Sequence, residues 1–153
     1  MDEAIWTLRP ASEHDRDFLF NLNRTTMREY VEATWGWNDD AQVAFFDDHF
    51  DSERCEVIQA ENQDIGVLRV EETADEIYLA EIQLLPQWQA RGIGTAIIRS
   101  LLERGETARK PVTLRVLHSN PRATELYESL GFAAFRRIET HTYMRKDPSR
   151  ATD

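Results

Sequence analysis

Gln89-Ala90-Arg91-Gly92-Ile93-Gly94-Thr95 is a glycine loop set between two kinds of periodicity. Before it runs an apolar, strand-like stretch, Ile77 to Leu85, closed by Pro86. After it runs a helix-like stretch, Ile93 to Arg109. A strand, a glycine-rich turn and a helix in that order make an anion cradle. The N–H groups of a helix's first turn are unpaired, and the helix dipole adds partial positive charge there. Gly92 and Gly94 carry no Cβ, so a phosphate can come close to the backbone. A phosphate-bearing ligand is therefore expected. The loop departs from a P-loop, which needs a Lys after its last glycine; here Thr95 follows Gly94. It departs from the dinucleotide fingerprint too. Ile97 stands where that pattern has its third glycine, and the next strand candidate, Val112 to Leu117, has no acid at its end.

The chain has 153 residues, enough for one domain with a real core at 41% hydrophobic residues. Its one cysteine excludes an intramolecular disulfide and suits a reducing compartment. The acidic start, Met1-Asp2-Glu3-Ala4, lacks the basic-then-apolar order of a signal peptide, and no apolar run approaches the roughly 18 residues of a membrane span. A cytoplasmic location is expected. Cys55, His14, His49, His118 and His141 show no metal-ligand spacing, so no metal is expected. Charge is uneven. Residues 1–85 hold 6 basic and 21 acidic side chains and residues 86–153 hold 12 and 7, which together give the net −10. The acidic half repels nucleic acid and anionic membranes and suits a cationic small molecule or a basic peptide. Plain solubility accounts for the acidity equally well.

Ile5 to Arg9 reads as a strand stopped by Pro10, and Ser12 caps a helix with Asp15 three residues on. Phe18, Leu19, Leu22, Met27 and Val31 form its apolar face until Trp35-Gly36-Trp37 interrupts it. Asn38 or Asp39 caps a second helix carrying Val43, Phe46 and Phe50. Cys55 to Ala60 and Gly66 to Glu71 read as strands around a hairpin loop, Glu61-Asn62-Gln63-Asp64. Beyond the glycine loop's helix come a strand, Val112 to Leu117, and a helix opened by Asn120-Pro121 and closed by Gly131. Two strands follow, Phe132 to Ile138 and Thr140 to Arg145. The order β-α-α-β-β-β-α-β-α-β-β predicts one mixed α/β (α+β) domain over residues 1–146, its sheet largely antiparallel, with a frayed tail over 147–153.

Asn120, Ala123, Tyr127, Gly131 and Phe132 stand in the order N-x-x-A-x-x-x-Y-x-x-x-G-F. With Q-x-x-G-x-G earlier in the chain and a strand between, this resembles the GNAT N-acetyltransferase superfamily. The resemblance is tightest from Ile77 to Phe132. It implies acetyl-CoA as acyl donor and an amine as acceptor. By position, Gln89, Ala90, Arg91, Gly92, Ile93, Gly94 and Thr95 would hold the pyrophosphate. The backbone of Gln83, Leu84 and Leu85 would pair with the pantetheine arm like an added strand. Asn120, Ala123 and Tyr127 would meet the cofactor from the far side. Members commonly dimerise, so a homodimer is one assembly the resemblance implies.

The chemistry needs a base for the amine proton, a donor for the oxyanion and an acid for the leaving thiolate. The resemblance gives the acid's place to Tyr127, whose ordinary pKa of about 10 keeps it protonated at neutral pH. Its other reading is a core aromatic on an amphipathic helix. Glu81 sits mid-strand, where a charge must face a cleft or solvent, and is a candidate base. His118 is the competing base; by alternation it shares a face with Val112, Leu114 and Val116, which suits a buried, hydrogen-bonded histidine. Tyr30, Trp35 and Trp37 offer aromatic walls and Glu29 offers negative charge for a protonated amine. A CoA-binding sensor without turnover and a protein or peptide acetyltransferase are the alternatives.

Overall fold

The computed structural model describes residues 5–50 and 54–149. Its elements follow the expected order. They are β1 (Trp6–Pro10), α1 (Arg16–Trp35), α2 (Asp39–His49), β2 (Glu56–Ala60), β3 (Gln63–Glu72), β4 (Ile77–Leu84), α3 (Ile93–Ala108), β5 (Val112–Leu117), α4 (Pro121–Ser129), β6 (Ala133–Arg137) and β7 (His141–Lys146). Short 3-10 turns cover Glu13–Asp15 and Pro86–Trp88. The seven strands lie in the order β1-β2-β3-β4-β5-β7-β6. β1–β2, β2–β3, β5–β7 and β7–β6 pair antiparallel. The β4–β5 pair is parallel, with partners Ile77–Val112 and Tyr78–Thr113.

The chain divides into two compact units, one running to Arg69 and including Glu81–Gly94, the other made of Val70–Ala80 and the residues from Thr95 onward. In the first, Leu19 and Leu22 of α1 pack with Cys55 and Val67, and Phe18, Phe46, Phe50 and Leu85 close around them. The start of α1 is fixed by charge. Ser12 and Asp15 form a reciprocal capping box around the 3-10 turn, so α1 proper begins at Arg16. Arg9 forks onto Asp15 at 2.8 and 3.0 Å and reaches Asp64 at 2.9 Å. The Arg9 guanidinium holds the Asp15 carboxyl below the ordinary carboxylate range. In the second unit Ile77, Ile97, Ile98, Leu101, Val112, Leu114, Phe132 and Met144 are buried. Glu72 is paired with Arg104, and Lys110 donates to it at 2.8 Å.

Two boundaries differ from expectation. The β2–β3 connection is a two-residue turn, with Glu61 at φ 51° and Asn62 at φ 63°, rather than a four-residue loop. Both central residues are left-handed, the geometry that matches strand twist in a tight hairpin. His118 lies in the turn after β5, so strand alternation does not reach it. Within the expected tail, the Ser149 N–H and hydroxyl donate to Glu106 at 2.9 and 3.0 Å. The rest of the expected tail, 150–153, lies outside the described residues.

Candidate functional site

The glycine loop is held at its base. Trp88 is buried, and its N–H donates to Leu85 O at 2.8 Å. Gln89 turns its side chain back, Nε2 donating to Leu84 O at 2.9 Å, so the end of β4 and the loop move as one piece. Arg91 lays its guanidinium over the Trp88 ring, 4.7 Å from the centroid. Between these anchors Ala90 has φ 60° and Gly92 φ 86°. A left-handed alanine is a local strain of about 1 kcal/mol. α3 begins immediately after, at Ile93, so its first N–H groups follow the turn directly. A Cβ built on Gly92 meets nothing within 4 Å, and one on Gly94 meets only Leu84 Cδ1 at 3.7 Å. The cradle is open on the Gly92 side. Trp88 was not singled out from the sequence; one large apolar ring inside Pro86-Gln87-Trp88-Gln89 was the available signal.

Backbone groups at the end of β4 are partly committed. Leu85 N–H donates to Ile65 O at 2.8 Å, and Leu84 O accepts from Gln89. This narrows what Gln83, Leu84 and Leu85 can offer a ligand. The side chains of Glu81 and Gln83 form a polar cluster with α1. Gln83 Nε2 donates to Glu81 Oε1 at 2.9 Å and to Asn23 Oδ1 at 3.0 Å. Burial pushes the Glu81 carboxyl above its ordinary pKa, and the charge of Arg69 opposes this. Asn23 was missed in the sequence. It sits within the helical stripe Leu19, Leu22 and Thr26, where a polar residue has to find a partner.

The second motif is built on α4. Asn120 caps the helix, Oδ1 accepting from Ala123 N–H at 3.2 Å, and Pro121 takes the first position. Tyr127 is half-buried and meets Phe132 edge-to-face with centroids 5.8 Å apart. Burial raises its pKa above the ordinary value of 10, so its hydroxyl stays protonated at neutral pH. Among the described residues that hydroxyl has no hydrogen-bond partner. His118 is half-buried, and its Nε2 lies 3.1 Å from Thr142 Oγ1.

The aromatic residues expected to wall the acceptor lie toward and beyond the end of α1. Trp35 is 61% exposed, at the end of α1. Trp37 donates its Nε1–H to Asp39 at 2.7 Å, and the Arg28 guanidinium lies 5.4 Å from its ring centroid. The cation over Trp37 is thus supplied by the chain itself. Tyr30 is half-buried and Glu29 exposed. Among the described residues no group of three His, Cys, Asp or Glu side chains could hold a metal ion, and no helix is long and apolar enough to cross a membrane.

The model of the acetyltransferase (GNAT) domain matches residues 51–134, more than half of the chain. The chain belongs to the GNAT acetyltransferase family. Its fold recurs in solved structures of low sequence identity. One is the PaiA N-acetyltransferase of Thermoplasma acidophilum in complex with coenzyme A, 17% identical, covering 94% of this chain and 99% of its own, TM-score 0.71. A second is the ribosomal-protein-S18-alanine N-acetyltransferase of Escherichia coli, 21% identical, covering 97% of each chain, TM-score 0.67. A third is Ard1 of Thermoplasma volcanium, 15% identical, covering 95% of this chain and 99% of its own, TM-score 0.65. No curated protein matches this acetyltransferase at the sequence level.

Proposed function

We propose that this acetyltransferase moves an acetyl group from acetyl-CoA to an amine within a ternary complex. The observation that carries the reading is the glycine loop, where an anchored turn with left-handed Ala90 and Gly92 runs straight into α3 and leaves the Gly92 face open. A pyrophosphate fits that face, because a Cβ-free backbone and unpaired helix-start N–H groups answer its charge. Gln89 to Thr95 hold it in this reading, with Arg91 adding positive charge. Backbone groups of Gln83 and Leu84 receive the pantetheine arm. Asn120, whose Oδ1 is engaged in the cap, would meet the cofactor through Nδ2, beside Ala123 and Tyr127. The PaiA structure with coenzyme A supports the donor.

The acceptor arrives as an ammonium ion and gives one proton to Glu81. Its lone pair attacks the thioester carbonyl, the C–N bond forms, and the oxyanion collapses with cleavage of the C–S bond. The thiolate takes its proton from Tyr127, the nitrogen loses its second proton, and the tyrosine is reprotonated. Across the cycle one proton passes to solvent. Raised pKa values suit both residues, a stronger carboxylate base and a phenol that remains a donor. His118, engaged with Thr142, is the second candidate base.

A primary amine of a small cationic or amphipathic molecule is the first acceptor class. A peptide amine is the second, favoured by Trp35, which stands 61% exposed at the end of α1. The S18-alanine enzyme supports that class by likeness of fold. We read residues 1–146 as one acetyltransferase domain acting in the cytosol. Calorimetric titration with acetyl-CoA tests the donor, and absence of binding at millimolar ligand rejects it. A released-thiol screen of small amines and peptide N-termini tests the acceptor. Tyr127→Phe should then lower kcat about 100-fold or more while acetyl-CoA affinity holds. A native protein that binds acetyl-CoA but turns over no amine is a sensor.

A further inference from the structure

Residues 81 and 83 of β4 point to the same face, two positions apart on the strand. Gln83 spends both hydrogens of its amide there, one on Glu81 Oε1 at 2.9 Å and one on Asn23 Oδ1 at 3.0 Å. With Glu81 ionised, the amide is held in this orientation. Its other orientation would aim a carbonyl oxygen at the Glu81 carboxylate, acceptor against acceptor. The consequence falls on the other end of the group. Gln83 is 7% exposed, and its Oε1 is buried with no hydrogen-bond partner among the described residues. A buried carbonyl left open in this way is met by a bound water or by a donor that arrives with a ligand.

We propose that Gln83 is a specificity-determining residue of the acceptor site, its Oε1 accepting an N–H of the incoming amine while its Nε2 holds Glu81 in place for the departing proton. This rests on the acetyl-transfer reading and deepens it. The selection is made by counting hydrogens. A primary ammonium can give one N–H to Glu81 and another to Gln83 Oε1. An alcohol has a single O–H; once that reaches the carboxylate, Gln83 Oε1 is unmet. A tertiary amine fails for the same reason. The site therefore favours nitrogen over oxygen and primary amines over tertiary ones, through a buried group left unpaired by the wrong acceptor. Asn23 fixes the amide from α1, so α1 takes part in recognition through a residue that need not touch the acceptor.

The test uses the full-length protein and two small cations. Methylammonium chloride carries three N–H donors and tetramethylammonium chloride none. Side-chain amide resonances of Gln83 and Asn23 are followed by 15N NMR, and the Glu81 carboxyl by 13C NMR. Saturable shifts at Gln83 with methylammonium, and at least tenfold weaker ones with tetramethylammonium, are expected. Gln83→Met should remove the methylammonium response at Glu81. Equal responses to the two cations, or none to either, overturn the proposal; this arm needs no variant, so a folding defect in Gln83→Met does not blunt it. With an amine from the acceptor screen, Gln83→Met should narrow the ratio of the N,N-dimethyl analogue's KI to the primary amine's KM at least tenfold. A purely structural role would leave that ratio unchanged. Failure to bind acetyl-CoA would sink the catalytic reading alone, since the cation titration reads Gln83 without the cofactor.

Discussion

Replacing Gly66 by alanine puts one methyl group between β3 and β4. The new Cβ would lie 2.2 Å from the carbonyl oxygen of Gln83, 3.2 Å from its carbonyl carbon and 2.9 Å from Leu84 Cδ2. The leucine methyl ends a flexible side chain and can swing aside. The carbonyl is backbone and cannot. Ordinary van der Waals contact begins at 3.4 Å, so the strands must part by about 1 Å at this point. Nearby, the Leu85 N–H to Ile65 O hydrogen bond stands at 2.8 Å, and an opening of that size takes it out of range. Loss of the bond costs about 1 kcal/mol and the forced displacement about 1–3 kcal/mol more. A total of about 2–4 kcal/mol lowers the melting midpoint by about 5–15 °C in a chain of this size. Thermal unfolding followed by circular dichroism measures it. Gly94→Ala is the control, because its Cβ meets its nearest neighbour at an ordinary 3.7 Å. A Gly66→Ala midpoint within about 2 °C of the parent would refute the reasoning, since the strands would then be free to part at little cost.

Gly92→Ala should cost only about 1 kcal/mol of stability, from a side chain forced to positive φ, yet weaken acetyl-CoA at least tenfold because the methyl stands in the open face of the cradle. Calorimetry decides this. Unchanged affinity would remove the loop from the cofactor site, and Gly94→Ala, whose Cβ meets only Leu84 Cδ1 at 3.7 Å, should change stability by no more than about 1 kcal/mol. Asp15→Asn should lose about 1–2 kcal/mol at pH 7 by weakening the cap and the Arg9 pair. The sign with pH follows from Asp15 having a lower pKa folded than unfolded. Its contribution is complete above the ordinary value of 3.8 and fades as pH falls through the folded one, so the gap between parent and variant narrows on acidification. Urea midpoints across that window check it, and a constant gap contradicts the pairing.

Element order was legible because the chain is punctuated. Pro10, Pro86, Pro111 and Pro121 stand beside strand or helix ends, Gly36 and Gly131 take positive φ where helices stop, and Asn38 and Asn120 cap as their type predicts. The β2–β3 turn was not legible at its true length, because Glu61 is a poor advertisement for a left-handed turn and only Asn62 favours one. Ala90 hid for the same reason. The glycine loop and the α4 motif could be read because each is local. The Asn23–Gln83 contact could not, since it joins residues 60 positions apart and depends on how α1 lies over β4. The Arg28–Trp37 contact was not legible either, since it joins residues nine positions apart across the end of α1.

Cys55 is the one thiol in the chain, 8% exposed, enclosed with Leu19, Leu22 and Val67. Every acetyl transfer from acetyl-CoA sets free another thiol, in solution. A disulfide dye added to the working enzyme therefore meets two sulfurs of very different reach. The fast colour belongs to product. The slow colour counts the moments when local opening of the packing around Cys55 exposes its sulfur. One reagent thus serves as clock for the chemistry and as strain gauge for the fold, and a variant such as Gly66→Ala can be scored for both in a single trace.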